Sequence, residues 1–155
     1  MIALAGNYRI KLATFTVARE SMPEWKNRAR LSSPGEVVAV LRTLIPDDSK
    51  EHFVVLMLDA QNGLVAAHHV GTGTLSASLV HPREVFGPAL RLMGVASLVL
   101  GHNHPSGEVT PSREDLRLTR QLVEAGKLLD IRVHDHVIIG NGSERFTSLA
   151  GMGAI

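Results

Sequence analysis

Two histidines one residue apart, His102 and His104, end the apolar run "ASLVLGH" and open the stretch "GHNHPSGEVTPSRED", residues 101–115. In extended backbone, residues i and i+2 face the same side, so both imidazoles can converge on one point. The spacing alone carries little. Eight histidines in 155 residues give about 0.4 such pairs by chance, and the chain holds a second pair, His134 and His136. Asp115 adds weight, because it lies eleven residues beyond His104, in what reads as the first turn of the next helix. A strand end and the following helix start bring side chains from two elements together. Two imidazoles, one carboxylate and a water form the open three-ligand sphere of a catalytic zinc ion. Such a set leaves a net positive site, which lowers the pKa of a bound water. A plainer reading stands beside it: Ser112-x-x-Asp115 scans as a capping-box variant with an acid at the positive helix end, and Thr110 before Pro111 is a rival N-cap.

The elements that must position these residues are legible in outline. "YRIKLATFTVA", residues 8–18, reads as a strand with weak alternation, and residues 19–32 as a polar loop. Ser33, Pro34 and Glu36 in "SPGE" supply an N-cap, a first-turn proline and a capping-box acid. Val37, Val38, Val40, Leu41 and Leu44 then give an apolar helical face to about Ile45. "EHFVVLMLD", residues 51–59, is nearly all apolar and reads as a buried central strand, turned at Asn62-Gly63. "LVAAHHVG" and "LSASLV" read as further strands. A helix starts near Pro82, but Gly87-Pro88 predicts a kink, or a short turn with the helix restarting at Pro88. Residues 96–102 form another buried strand. A long helix over 112–130 places Leu118, Leu122, Ala125 and Leu129 on one stripe. "IRVHDHVIIG" is a strand, Asn141-Gly142 turns it, and "RFTSLA" can pair back. Strands and helices mix without strict alternation, which predicts one α/β or α+β layered domain.

Composition narrows the chemistry. The length suits one domain with a real core. Cysteine is absent, so disulfides, thiol catalysis and zinc–thiolate sites are excluded, and a metal must rest on His, Asp, Glu or backbone. A formal net charge of +1 gives no electrostatic reason to propose nucleic acid or an anionic membrane as partner. The first twenty residues lack the charged start and long apolar run of a signal peptide, and no segment has the apolar length of a membrane span, so a cytoplasmic location is expected.

The residues around the histidines resemble a known family. His102, His104, seven residues, Ser112, two residues and Asp115 match without a gap the metal-binding signature of the JAMM (MPN-plus) metalloproteases. The wider text, "VHPREVF" and "GHNHPSGEVTPSREDLRLTRQLVEAGKLLDIRVHDHVIIG", is similar to the RadC-like branch of that superfamily. The resemblance covers most of residues 35–150. It implies a single cytidine-deaminase-like JAB/MPN domain, a central mixed β-sheet flanked by helices, over residues 33–155, with 1–32 an N-terminal strand and loop extension. It also implies one Zn2+ per chain on His102, His104 and Asp115. Ser112 would donate its hydroxyl to a developing oxyanion. Hydrolysis of an amide further needs an acid/base, in this family a glutamate opening a buried strand after the first helix. Glu51 occupies that place; Glu84 in "HPREVF" is the alternative. Glu51 is preferred because a buried strand fixes a side chain better than a helix start. Two departures stand out: the chain is too short for the helix-hairpin-helix region of full-length RadC proteins, and Gly87-Pro88 interrupts an otherwise smooth helix.

The resulting expectation is a zinc metallohydrolase cleaving a peptide or isopeptide bond in a peptide or protein substrate. The alternative is a non-catalytic, metal-stabilised binding module associated with DNA repair or DNA-processing proteins, in which Glu51 has no task. A metallophosphoesterase, suggested by "GHNH" alone, lacks its upstream metal-binding pairs. His134 and Asp135 are expected to hydrogen-bond to structure, as are His68, His69 and His81. His136 is the one that can support a ligand imidazole. The pattern specifies neither substrate identity nor oligomeric state.

Overall fold

The computed structural model describes residues 2–3, 9–10, 29–73 and 80–155. In the N-terminal region a two-stranded ribbon joins β1 (Ile2–Ala3) to β2 (Arg9–Ile10). The rest of the expected 8–18 strand, residues 19–28 of the loop and nearly all of "LSASLV" lie outside the described residues.

The domain is a five-stranded mixed sheet in the order β4-β3-β5-β6-β7. Its strands are β3 (His52–Leu58), β4 (Leu64–Thr72), β5 (Ser97–His104), β6 (Arg132–Gly140) and β7 (Phe146–Ser148). Only β5 and β6 pair in parallel; the other neighbours are antiparallel. That parallel pair needs a crossover, supplied by the helix α3 (Arg113–Leu129). Helix α1 (Pro34–Leu44) covers one face and α2 (Pro82–Arg91) with α3 the other, so the central strands β3 and β5 are buried on both sides while the edge strand β4 stays partly exposed. This explains the apolar run Phe53–Leu58 of β3: those six residues are all buried, as is His52 before them. Phe53, Val55 and Met57 join the α2–α3 core, while Val54, Leu56 and Leu58 join the α1 core.

Local chemistry sets the boundaries. The Ser33 side chain accepts from the Glu36 amide, and the Glu36 carboxylate accepts from Ser33 N at 2.9 Å, forming the anticipated capping box. Asn62 takes φ 61° in the turn between β3 and β4. There the Asp59 carboxylate accepts from the amides of Gln61 and Gly63, both at 2.8 Å. Gly101 is required by packing, since a Cβ there would lie 2.4 Å from the buried Leu41 side chain of α1.

Two expectations are corrected. Helix α2 does not restart at Pro88 but runs through it. Pro88 leaves only the Glu84 carbonyl in the first turn without its intrahelical donor, and Glu84 is exposed, so solvent can satisfy it. Val85, Phe86 and Ala89 meanwhile hold the helix to the core. The apolar stripe of α3 does not reach Leu129, which is 40% exposed. The buried stripe is Asp115, Leu118, Thr119, Leu122 and Gly126. At Gly126 the helix closes onto the Ile131 carbonyl, 2.5 Å from where a Cβ would stand, and Asp130 ends it in the left-handed conformation.

Candidate metal centre

The site forms where β5 ends and α3 begins. Leu98, Leu100 and His102 alternate onto the α2–α3 face, and His104, the last residue of β5, continues that side. The chain turns with Gly107 N donating to the His104 carbonyl at 3.0 Å, Gly107 taking φ +77°, and returns to α3 at Ser112. Asp115, at the N3 position, then faces both imidazoles. His102 Nε2 lies 3.0 Å from His104 Nε2 and 3.3 Å from Asp115 Oδ1, and His104 Nε2 lies 3.5 Å from Asp115 Oδ2. Bonds of 2.0–2.1 Å to a tetrahedral ion imply donor–donor edges of about 3.3 Å. These three residues are therefore positioned to bind a metal ion.

The capping box of Ser112 and Asp115 is present, and it is compatible with Asp115 facing a metal ion. Asp115 Oδ2 accepts from Ser112 N at 2.8 Å and from the Ser112 hydroxyl at 2.7 Å, while that hydroxyl oxygen accepts from Asp115 N at 3.0 Å. The cap fixes the carboxylate rotamer and aims Oδ1 at His102. Burial works to raise the Asp115 carboxyl, but hydrogen bonds from His102 and His104, the charge of His102 and the Ser112 hydroxyl together hold it well below the usual carboxylate range. His104 is raised, chiefly by its bond to Asp115, against desolvation, with the Glu108 carbonyl and the charge of Glu51 assisting.

Each histidine of the cluster is held by its other nitrogen. His104 Nδ1 is 2.7 Å from the Glu108 carbonyl, which only accepts, so Nδ1 carries the proton and Nε2 presents its lone pair. His102 Nδ1 is 2.8 Å from His136 Nε2, and His136 Nδ1 is 2.6 Å from the Thr119 hydroxyl. That hydroxyl donates to the Asp115 carbonyl at 2.6 Å. The donor direction follows from its end. Thr119 gives its proton to the carbonyl, so it accepts from His136 Nδ1–H; His136 Nε2 then accepts from His102 Nδ1–H, leaving His102 Nε2 free for an ion. His136 is fully buried, and desolvation followed by the charge of His102 pushes it well below the ordinary imidazole range, so it stays neutral. Phe53 walls this network, its ring stacked 6.1 Å from His102 and edge-on 5.4 Å from His136.

His136 reaches this face because of an irregularity. Leu98 pairs with Val133 but Val99 pairs with Asp135, so His134 is an extra residue in β6. Without that bulge Val133 and Asp135 would share a face and His136 would point away. With it, Val133 packs in the α2–α3 core and His136 meets His102. His134 is turned to the α1 side, lining a pocket with Pro34, Val37 and Val99. Asp135 is structural, accepting from His136 N at 2.7 Å, Ala150 N at 2.9 Å and the Ser148 hydroxyl at 2.6 Å.

Of the two glutamates, Glu51 lies beside the cluster. Phe53 pairs with His102, and continuing that antiparallel register two residues sets Glu51 opposite His104. It is half-buried and close enough for its charge to raise His104. Glu84 sits in the first turn of α2, 54% exposed, with its carboxylate accepting from Arg83 Nε at 3.2 Å. Asn103 and Thr119 escaped sequence reading. Asn103 is fully buried between His102 and His104. Its Oδ1 accepts from His52 N at 2.7 Å, and its Nδ2 donates to the Lys50 carbonyl at 2.9 Å and to Asn141 Oδ1 at 2.9 Å, so one amide brackets Glu51. The only sequence signal for Thr119 is its place one turn beyond Asp115 on the helix.

Comparison with known proteins agrees with this arrangement. Residues 31–154 match the family described as the RadC-like JAB domain. A UPF0758 protein of Rubrobacter xylanophilus is 49% identical over 134 residues, covering 86% of this chain and 59% of the relative. A UPF0758 protein of Caldanaerobacter subterraneus is 43% identical over 141 residues, covering 91% and 60%. One of Geobacter sulfurreducens is 47% identical over 126 residues, covering 81% and 54%. The chain thus spans 54% to 60% of the length of these curated relatives. Among the described residues no helix is long and apolar enough to cross a membrane. With its mixed sheet, its metal-ready His102–His104–Asp115 cluster and these matches, the chain belongs to the RadC-like JAB domain family.

Proposed function

We propose that this domain is a zinc-dependent hydrolase of JAMM type that cleaves a peptide or isopeptide bond in a peptide or protein substrate. The observation that carries the reading is the position of Glu51, set by register opposite His104 and bracketed by Asn103. His102 Nε2, His104 Nε2 and Asp115 would hold the ion. A zinc ion bound there supplies Lewis-acid activation of water and polarisation of an amide carbonyl. Glu51, a partly buried carboxylate beside the cluster, takes the proton from the attacking water and delivers it to the leaving amine. Ser112 can turn its hydroxyl from Asp115 Oδ2 toward the oxyanion, and its backbone N–H keeps the carboxylate in place meanwhile. The His136–Thr119 pair keeps His102 in the tautomer that leaves Nε2 available.

Glu51→Gln tests this directly, because it preserves size and hydrogen bonding but cannot take a proton. Against a panel of fluorogenic peptides and isopeptides, zinc-loaded Glu51→Gln should lose at least ~10²-fold in turnover while keeping its zinc and its thermal melt. Glu84→Gln should remain within a few-fold of the parent. Reversed results would move the proton to Glu84. Full activity in both would remove the mechanism, and zinc binding with no turnover on any bond would favour the alternative, a metal-stabilised module serving DNA-processing proteins.

A further inference from the structure

A second imidazole cluster lies on the other face of the sheet. His52 opens β3 directly beside Phe53, so it faces away from the His102 side. Its register partner on β4 is Thr72. Residues three apart on a regular strand face opposite ways, which would separate His69 from Thr72. Here Phe53 pairs with Gly71 but Val54 pairs with His69, so Val70 is an extra residue, and the bulge brings His69 round to the side of Thr72 and His52. His52 Nδ1 lies 3.1 Å from His69 Nε2, and the Thr72 hydroxyl lies 3.2 Å from the first and 3.3 Å from the second.

We infer that His52 Nδ1, His69 Nε2 and the Thr72 hydroxyl form a second site for a transition-metal ion of the imidazole-preferring class, Zn2+, Cu2+ or Ni2+. The triangle has edges of 3.1–3.3 Å, those of a tetrahedral donor face at about 3.3 Å, and matches the size of the His102–His104–Asp115 triangle. The tautomer is fixed from outside. Asp48 Oδ1 stands 3.0 Å from His52 Nε2 and requires a proton there, which leaves the Nδ1 lone pair toward the ion; this carboxylate–histidine arrangement recurs behind metal ligands. The Asp48 carboxyl is held below its ordinary range by His52 first and by the Lys50 amide second, so it remains an acceptor. Partial burial, then the neighbouring imidazoles of His52 and His68, lowers His69, which is therefore neutral and able to ligate at pH 7. His52 is 6% exposed and anchors the site, while His69 and Thr72 face solvent and leave the remaining coordination positions to water.

With two nitrogens and no coordinating carboxylate, this site is weaker than the first and fills only when free metal is supplied. Its occupancy would tie the end of β4 to the Asp48–His52 segment, the backbone that carries Glu51.

The test counts metal without needing a substrate. The full chain, dialysed to remove loosely held metal, is titrated with Zn2+ at pH 7.5 and analysed by equilibrium dialysis with elemental analysis. His69→Ala, an exposed position, should bind one zinc ion fewer than the parent, with an unchanged metal-free melt. Thr72→Val should raise the Kd of that weaker ion. His102→Ala/Asp115→Ala should still bind one zinc ion that disappears when His69→Ala is added, so this site is scored whether or not the first one holds metal. The inference is overturned if His69→Ala binds as many zinc ions as the parent, for then His52 and His69 share only a hydrogen bond.

Discussion

Replacing Thr119 with valine removes one hydroxyl and almost no volume, yet it should be felt at the metal. In the parent that hydroxyl accepts from His136 Nδ1–H and donates to the Asp115 carbonyl, both at 2.6 Å. Valine leaves the His136 donor buried without a partner, at a cost of about 1–3 kcal/mol. The metal-free protein can relieve this by moving the His136 proton to Nε2. His136 Nε2 then no longer accepts from His102 Nδ1, and His102 is driven to carry its own proton on Nε2, the atom needed for the ion. Binding metal reverses the relief, so the same 1–3 kcal/mol reappears as about a 5- to 150-fold loss of affinity, in the range of ~10–100-fold expected for a partner behind a ligand. Zinc affinity is read by competition with a chromophoric chelator, and metal-free stability by urea unfolding. Thr119→Ser, which restores the hydroxyl, should return affinity to within a few-fold of the parent. The hydrogen-bond direction argued here is wrong if folded Thr119→Val binds zinc within about twofold of the parent, or if Thr119→Ser is as weak as Thr119→Val.

Three further outcomes are expected. The parent should retain about one zinc ion per chain through dialysis against metal-free buffer; His102→Ala and Asp115→Ala should each lose it and His134→Ala should not, as elemental analysis would show. Asp135→Ala should lower urea stability by about 1–3 kcal/mol per donor left unpaired without emptying the metal site; loss of zinc would mean that Asp135 does more than hold the His136 amide, Ser148 and Ala150. Gly101→Ala should destabilise by about 1–3 kcal/mol, because its Cβ meets Leu41; unchanged stability would contradict the packing of α1 on β5.

What could be read beforehand was whatever local periodicity or local chemistry dictates. The α1 capping box, the buried β3 run, the Asn62-Gly63 turn and the spacing of His102, His104, Ser112 and Asp115 each lie within a few residues of their own cause. What strand periodicity leaves hidden has another origin. A period of two would put His134 and His136 on one face, but one extra residue in β6 opposite β5 breaks that count. The same holds for His69 and Thr72 on β4. A bulge is set by the partner strand, and no signal for it appears in the strand's own residues. Nothing local marks Asn103, because its partners, Lys50, His52 and Asn141, are distant in sequence. Pro88 does not stop α2, because a helix anchored by Val85, Phe86 and Ala89 tolerates one missing bond that solvent can replace.

The three residues positioned to bind a metal ion all come from fourteen consecutive residues, His102 to Asp115, and this bears on the order in which the domain can assemble. Closing so short a segment costs about 2.3 kcal/mol of chain entropy before the constant, against about 3.5 kcal/mol for the roughly 50-residue loop that brings Glu51 alongside. Capture of an ion there would therefore be a local event, open to a chain in which only the β5–α3 segment has formed. The residue proposed to use the ion arrives later, with the pairing of β3 onto β5. A nascent or partly unfolded chain would then hold its metal before it can act on anything, so metal retention and hydrolytic competence should separate in time during refolding.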